Sequence, residues 1–119
     1  QYRRAVGGYL LEFPAGTLAA GEHPTRCARR ELLEETGWRA ARWRRLGRFY
    51  PAPGFLSERM TMFLAEDLAR GTAAPEADEI ITPVALSWRA AEAKVRSGAI
   101  CDAKTIIGLR LARERLAGR

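Results

Sequence analysis

Hydrophobic and polar positions change their spacing several times along the chain, and these changes divide it into short strands and helices. Alternating apolar and polar residues predict strands, whereas apolar residues three and four apart predict helices. The strands predicted in this way are residues 9–13, 42–50, 59–66 and 79–86. The predicted helices are residues 24–36, 88–97 and 103–116. Turn-forming residues separate these elements, notably in the run 51–54.

Local signals mark the ends of the predicted helices. Pro24 suits the first turn of a helix, where a missing N–H costs nothing, and Gly37 suits the left-handed position just past the end. Ser87 and Asp102 are candidate caps for the two later helices. The single histidine, His23, is interpreted as a surface residue or a helix cap.

The elements follow one another without a strict strand–helix–strand alternation, which predicts an α/β fold with a mixed sheet between helices. A chain of 119 residues without repeats or a low-complexity linker predicts one domain, residues 1–119. The sequence starts inside an apparent strand at Gln1, with no Met. We therefore expect an N-terminal segment before Gln1 in the natural protein.

The composition is that of an ordinary globular protein, with 47% hydrophobic and 29% charged residues. No apolar run reaches eighteen residues, so neither a transmembrane helix nor a membrane partner is expected. Cys27 and Cys101 are the two cysteines, and we interpret them as free thiols in a reducing compartment. We therefore expect a cytoplasmic protein.

The net charge of +6 comes almost entirely from arginine. Five arginines cluster in the predicted strand region, and alternation would place Arg42, Arg44 and Arg48 on one face. A solvated face is the favoured interpretation of this cluster. The alternatives are that the arginines bind a diphosphate substrate or nucleic acid. Of these, nucleic acid is not expected as a partner.

The acidic residues of the first helix carry the candidate chemistry. At 3.6 residues per turn, Glu31, Glu34 and Glu35 fall within an arc of about 100°. Three carboxylates on one narrow face repel each other unless a cation lies among them, and hard oxygen ligands suit Mg²⁺ or Mn²⁺. A solvated acidic face is the alternative, but it leaves Gly16, Glu22 and Gly37 unexplained.

The spacing from Gly16 to Trp38 is G-x5-E-x7-R-E-U-x-E-E-x-G-U, where U is an apolar residue. It resembles the Nudix box, the signature of hydrolases that cleave a nucleoside diphosphate linked to another moiety. Every specified position is filled. The resemblance implies a Nudix-type α/β/α sandwich with a mixed β-sheet.

Three further segments are similar to the ADP-ribose pyrophosphatase subgroup. They are the run Glu12-Phe13-Pro14-Ala15-Gly16, then Pro53, then Asp102-Ala103-Lys104-Thr105. Helix capping is the simplest explanation of the last segment, and no catalytic role is assigned to it.

The resemblance implies Mg²⁺-dependent hydrolysis of ADP-ribose, or a related nucleoside-diphosphate sugar, to AMP and ribose 5-phosphate. Glu31 and Glu35 are the first candidates for metal ligands, Glu34 is the next, and the resemblance adds the backbone carbonyl of Ala15. Mg²⁺ is the expected cofactor, with Mn²⁺ as a possible substitute.

Other residues receive supporting roles. Arg30 is better placed to orient glutamates through charge-assisted hydrogen bonds than to contact substrate, and Glu22 either holds this arginine or completes the metal shell. Related enzymes place a catalytic glutamate on a loop before the last strand. We therefore expect Glu79 as the general base, with Glu76 second and Glu34 as the candidate within the helix.

Substrate contacts are expected from Arg3 and from the loop that follows the predicted strand at residues 42–50. The loop candidates are Pro53, Gly54, Ser57 and Glu58. An ordinary turn with a solvated Glu58 is the alternative for this loop.

Two other functions remain open. One is a Nudix hydrolase that removes altered nucleoside triphosphates, and the other is a non-catalytic Nudix-like module that senses a ligand. In enzymes that this chain resembles, N-terminal strands pair two subunits, so a homodimer is expected.

Overall fold

The computed structural model describes residues 1–72 and 81–118. The strands are β1 (Tyr2–Arg3), β2 (Gly8–Tyr9), β3 (Trp38–Phe49) and β4 (Met60–Arg70), and a short 3-10 turn covers Arg4–Val6. The helices are α1 (Pro24–Thr36), α2 (Trp88–Ser97) and α3 (Ala103–Ala117). In the described ranges, β1 pairs with β2 and β3 with β4, both antiparallel.

The β3–β4 ribbon forms the middle layer, with α1 on one face and α3 on the other. The rings of Trp43 and Phe63 meet across the strands, 6.2 Å apart, and the Arg29 guanidinium of α1 lies 5.7 Å from the Trp43 ring. Because side chains alternate along a strand, Met62 points to the opposite face. There it lies against Gly108 of α3. The layers are therefore helix, ribbon and helix.

A small apolar core lies between α2, α3 and the segment that follows β2. Ala91, Ile100 and Leu109 are buried in it, and Leu11 and Phe13 pack against them from the chain before α1. The core therefore holds the segment leading to the turn at Pro14-Ala15-Gly16.

The helix signals of the sequence are confirmed. α1 occupies residues 24–36 with Gly37 left-handed at φ 78°, and the Nδ1 atom of His23 caps it by accepting the Thr25 N–H at 3.2 Å. The side chains of Ser87 and Asp102 cap α2 and α3, each at 3.1 Å from a backbone nitrogen of the first turn.

Two predicted strands differ in the structure. Of residues 9–13, only Tyr9 is in a strand, because the β1–β2 pairing ends at the hydrogen bonds between Leu10 and Gln1. Further along, the N–H of Phe13 donates to a side chain of α3 and not to a neighbouring strand. Residues 81–86 form no strand and are largely exposed, while residues 79 and 80 lie outside the described ranges. A strand needs a pairing partner as well as an apolar pattern.

The expectation that Arg42, Arg44 and Arg48 share one face is wrong. The register shifts between Arg45 and Gly47, and this bulge moves Arg48 to the other face. Arg42 and Arg44 are paired with acidic residues of β4: Arg42 lies 3.2 Å from Glu66, and Arg44 lies 3.8 Å from it.

None of the helices in the described ranges has both the length and the apolar character needed to cross a membrane.

Candidate active site

The turn at Ala15 and Gly16 lies directly against the acidic side of α1. The Ala15 N–H donates a hydrogen bond to Glu35 Oε2 at 3.1 Å. Gly16 is so close to Glu31 that an added Cβ would lie 2.1 Å from Oε1, so a side chain at this position would displace the Glu31 carboxylate. Residues four apart on a helix share a face, so Glu31 and Glu35 meet the same two-residue turn.

Arg30 links three carboxylates of the box. Its guanidinium contacts both oxygens of Glu22, at 3.0 and 3.1 Å, and it contacts Glu31 at 2.8 Å. A longer contact of 3.4 Å joins it to Glu34. Glu22 thus holds Arg30, and Arg30 in turn holds Glu31 in orientation.

These contacts favour the charged forms of both partners. The hydrogen bond from Arg30, together with the Ala19 N–H at 3.0 Å, lowers the pKa of Glu22 from an ordinary 4.5 to about 2. The same pairing raises the pKa of Arg30 above its usual value. Burial raises the pKa of the nearby Cys27 thiol, which keeps it in the neutral, weakly nucleophilic form.

The donor set matches a small divalent cation. Glu31 is only 8% exposed, and Glu31 and Glu35 bring carboxylate oxygens to a backbone turn that a Cβ would block. Within residues 1–72 and 81–118, no three acidic, histidine or cysteine side chains surround a common point. The carboxylate oxygens of Glu31 and Glu35 are hard donors of the kind that suits Mg²⁺, which usually keeps several water ligands.

Arg3, predicted to bind substrate, lies in β1 and forms a paired contact with Glu12, with two N–O distances of 2.7 Å. The Glu12 side chain is 5% exposed, and Lys104 of α3 also donates to it. The Arg3 hydrogen bonds, with a contribution from Lys104, lower the pKa of Glu12 to about 2. No role was predicted for Glu12 itself, although an acid between Leu11 and Phe13 in an apolar segment is a signal of a buried ion pair.

The loop candidates are not brought to the box by any described contact. Pro53, Gly54, Ser57 and Glu58 are exposed in the connection between β3 and β4. Within the described ranges, the Ser57 and Glu58 side chains make no hydrogen bond or ion pair. The predicted bases Glu76 and Glu79 lie outside the described residues.

Comparison with known proteins identifies the family of this chain. Residues 1–104 match the model of the NUDIX domain. The chain belongs to the Nudix family. It is 36% identical over 107 residues to the ADP-ribose pyrophosphatase of Bacillus subtilis (strain 168), covering 88% of this chain and 58% of that protein. It is 37% identical over 103 residues to the GDP-mannose pyrophosphatase of Cronobacter sakazakii (strain ATCC BAA-894), covering 84% and 53%.

A solved structure described as an ADP compounds hydrolase superposes with a TM-score of 0.89 at 27% sequence identity. The match covers 99% of this Nudix chain and 64% of the other. The predicted fold class is thereby confirmed. The chain spans little more than half the length of the curated relatives it matches.

Proposed function

We propose that this Nudix domain hydrolyses the diphosphate bond of a nucleoside-diphosphate sugar, with ADP-ribose as the first candidate and AMP and ribose 5-phosphate as products. The observation that carries the proposal is the convergence of Glu31 and Glu35 on the Ala15–Gly16 turn. The names of the relatives, ADP-ribose pyrophosphatase and GDP-mannose pyrophosphatase, support the substrate class. The two free thiols support a reducing cytoplasm.

Mg²⁺, with Mn²⁺ as substitute, is the proposed cofactor. A bound cation would neutralise the charge of the diphosphate oxygens and activate a water molecule for attack. Glu31, Glu35 and the Ala15 carbonyl are the proposed ligands, with Glu34 next. Arg30 fixes the orientation of Glu31 through its 2.8 Å contact, so it acts on the ligand geometry and not on the substrate.

Arg3 is the proposed contact to the negatively charged substrate. Its side chain remains 43% exposed while Glu12 holds the guanidinium, so one edge stays accessible. The exposed loop with Pro53, Gly54, Ser57 and Glu58 is proposed to cover the sugar or base. Glu79 is the proposed general base, with Glu76 second and Glu34 third, because a base must accept a proton from the attacking water.

The deciding experiment is a hydrolysis assay with Mg²⁺ or Mn²⁺ and identification of products. Three substrates are compared: ADP-ribose, GDP-mannose and a nucleoside triphosphate. We expect ADP-ribose to be cleaved to AMP and ribose 5-phosphate. Preferential cleavage of the triphosphate would instead support a Nudix hydrolase that removes altered nucleoside triphosphates, and binding without turnover would support a ligand-sensing module.

Variants within the same assay test the roles of individual carboxylates. Glu35→Gln should lower kcat by about 100-fold or more while the protein stays folded, because the amide is a poor metal ligand. Glu79→Gln should lower kcat with little change in the Mg²⁺ concentration needed for half-maximal rate. A larger loss in Glu76→Gln would transfer the base role to Glu76, and no loss in either variant would leave Glu34 as the candidate.

We also propose that the domain acts as a homodimer. The β1–β2 hairpin exposes Tyr2, Val6 and Tyr9 at 51%, 63% and 82%, and the two tyrosine rings pack edge to face 5.2 Å apart. Aromatic residues presented together at a surface are typical of protein interfaces.

A further inference from the structure

Thr105, in the first turn of α3, is buried to 2% exposure and makes two directed hydrogen bonds. Its hydroxyl donates to Asp102 Oδ2 at 2.6 Å and accepts the Phe13 N–H at 3.1 Å. Because the hydroxyl proton is committed to Asp102, an oxygen lone pair is left for Phe13. Asp102 therefore determines the orientation of the hydroxyl that holds Phe13.

A second link joins the same two parts of the chain. Lys104 donates to Asp102 Oδ2 at 2.9 Å and also to the carboxylate of Glu12. Two consecutive residues before the active-site turn, Glu12 and Phe13, are thus tied to the start of α3 by separate bonds. Two attachment points fix both the position and the direction of the segment.

Only one residue separates this anchored segment from the candidate metal site. That residue is Pro14, whose ring fixes φ at about −65° and so removes one of the few rotations between Phe13 and Ala15. Ala15 then donates its N–H to Glu35, and Gly16 lies against Glu31. A shift of Phe13 would consequently be transmitted to both carboxylate contacts.

We propose that Thr105, oriented by Asp102, is a positioning residue for the candidate metal site. It holds Phe13 so that the Ala15–Gly16 turn meets Glu31 and Glu35 in the arrangement that binds the cation. The expected effect on cation binding rests on the proposed function. The placement of the turn by Thr105 does not depend on that function.

The test compares Thr105→Val, which keeps the shape and loses the hydroxyl, with Thr105→Ser, which keeps the hydroxyl. Two quantities are measured: hydrogen exchange of the Phe13 and Ala15 amides in metal-free protein, and Mn²⁺ affinity by electron paramagnetic resonance. In the valine variant we expect faster exchange at both amides and about 10-fold weaker Mn²⁺ binding. The serine variant should restore both quantities to near the wild-type values.

Ser87→Ala is the matched control, because it removes the side-chain cap of α2 at a site outside this network. It should leave Mn²⁺ affinity unchanged. If Thr105→Val does not fold, Asp102→Asn replaces it, with the same direction of change expected.

Unchanged amide exchange and Mn²⁺ affinity in the valine variant would overturn the inference. Equal losses in the valine and serine variants would also overturn it, since the hydroxyl would not then be responsible. A wild-type protein that binds no Mn²⁺ would refute the proposed metal site, and the Ala15 exchange rates would still decide whether Thr105 positions the turn.

Discussion

Glu12 shows how a single side chain depends on its neighbours. A carboxylate that is 5% exposed loses most of its hydration, and removal from water alone would raise its pKa. The Arg3 and Lys104 hydrogen bonds outweigh this effect and lower the pKa to about 2. Glu12 therefore stays charged in the folded protein at any ordinary pH and joins the N-terminal hairpin to α3.

We predict that Glu12→Gln lowers the free energy of unfolding at pH 7 by about 2 kcal/mol, the size of a lost hydrogen bond to a charged group. The folded pKa lies below the ordinary value of 4.5, so the stabilisation is complete above pH 4.5 and is lost as the pH falls toward 2. Urea unfolding from pH 7 to pH 3 should show the wild-type and variant values converging at the acidic end.

Glu92→Gln provides the comparison for this prediction. Glu92 pairs with Arg113 at 2.8 Å on the surface, where an ion pair contributes about 0–1 kcal/mol. The prediction is contradicted if the free energies of unfolding of the wild type and Glu12→Gln differ by the same amount at pH 3 as at pH 7. The acid-sensitive stability would then not come from Glu12.

Among single residues, the sequence predicted those of the Nudix box but not the ion pair of Glu12 that holds the neighbouring segment in place. Glu31, Glu34, Glu35 and Arg30 lie within one helix, so their spacing alone brings them near each other. Glu12 and Lys104 are 92 positions apart, and no local pattern shows that they meet. Long-range ion pairs depend on the packing of elements, which the order of residues does not display.

Among the secondary-structure elements, those with local end signals were predicted most closely. α1 has Pro24 at its start and Gly37 at its end, and its observed bounds equal the predicted ones. The predicted strand at residues 79–86 had only an apolar pattern, and its described part, residues 81–86, forms no strand. The turn at residues 4–7, which closes the β1–β2 hairpin with Gly7 at φ 66°, was also missed.

The contact of α3 with the ribbon depends on Gly108. An added Cβ would lie 2.8 Å from Phe13 Cε2 and 3.0 Å from Met62 Cε. Alanine favours a helix by about 1 kcal/mol over glycine, but overpacking costs about 1–3 kcal/mol. We therefore predict that Gly108→Ala lowers the free energy of unfolding by about 1 kcal/mol, measured by urea denaturation.

Gly47→Ala is the control for close packing, because its Cβ would meet Leu111 of α3 at an ordinary 3.6 Å. It should change the stability less than Gly108→Ala does. A Gly108→Ala variant as stable as the wild type, or more stable, would show that Phe13 and Met62 move aside at little cost.

At the scale of the whole molecule, the proposed homodimer depends on the exposed face of the β1–β2 hairpin. The hairpin also carries Arg3, whose partner Glu12 leads to the candidate active site. Association through this face would therefore place the interface next to the proposed substrate contact. Because a symmetric interface brings the same patch from both chains together, a charge added there meets its own copy.

We predict that the wild-type protein has twice the mass of one chain in size-exclusion chromatography with light scattering, and that Tyr9→Asp weakens the dimer. A central aromatic residue of an interface contributes about 2 kcal/mol, and both chains of the dimer lose it, so the dissociation constant should rise by about 1,000-fold. Val84→Asp alters a residue that is 57% exposed outside the hairpin and should leave the dimer intact. Far-ultraviolet circular dichroism checks that both variants are folded. A monomeric wild type would refute the homodimer, and a Tyr9→Asp variant that dimerises as tightly as the wild type would place the interface elsewhere.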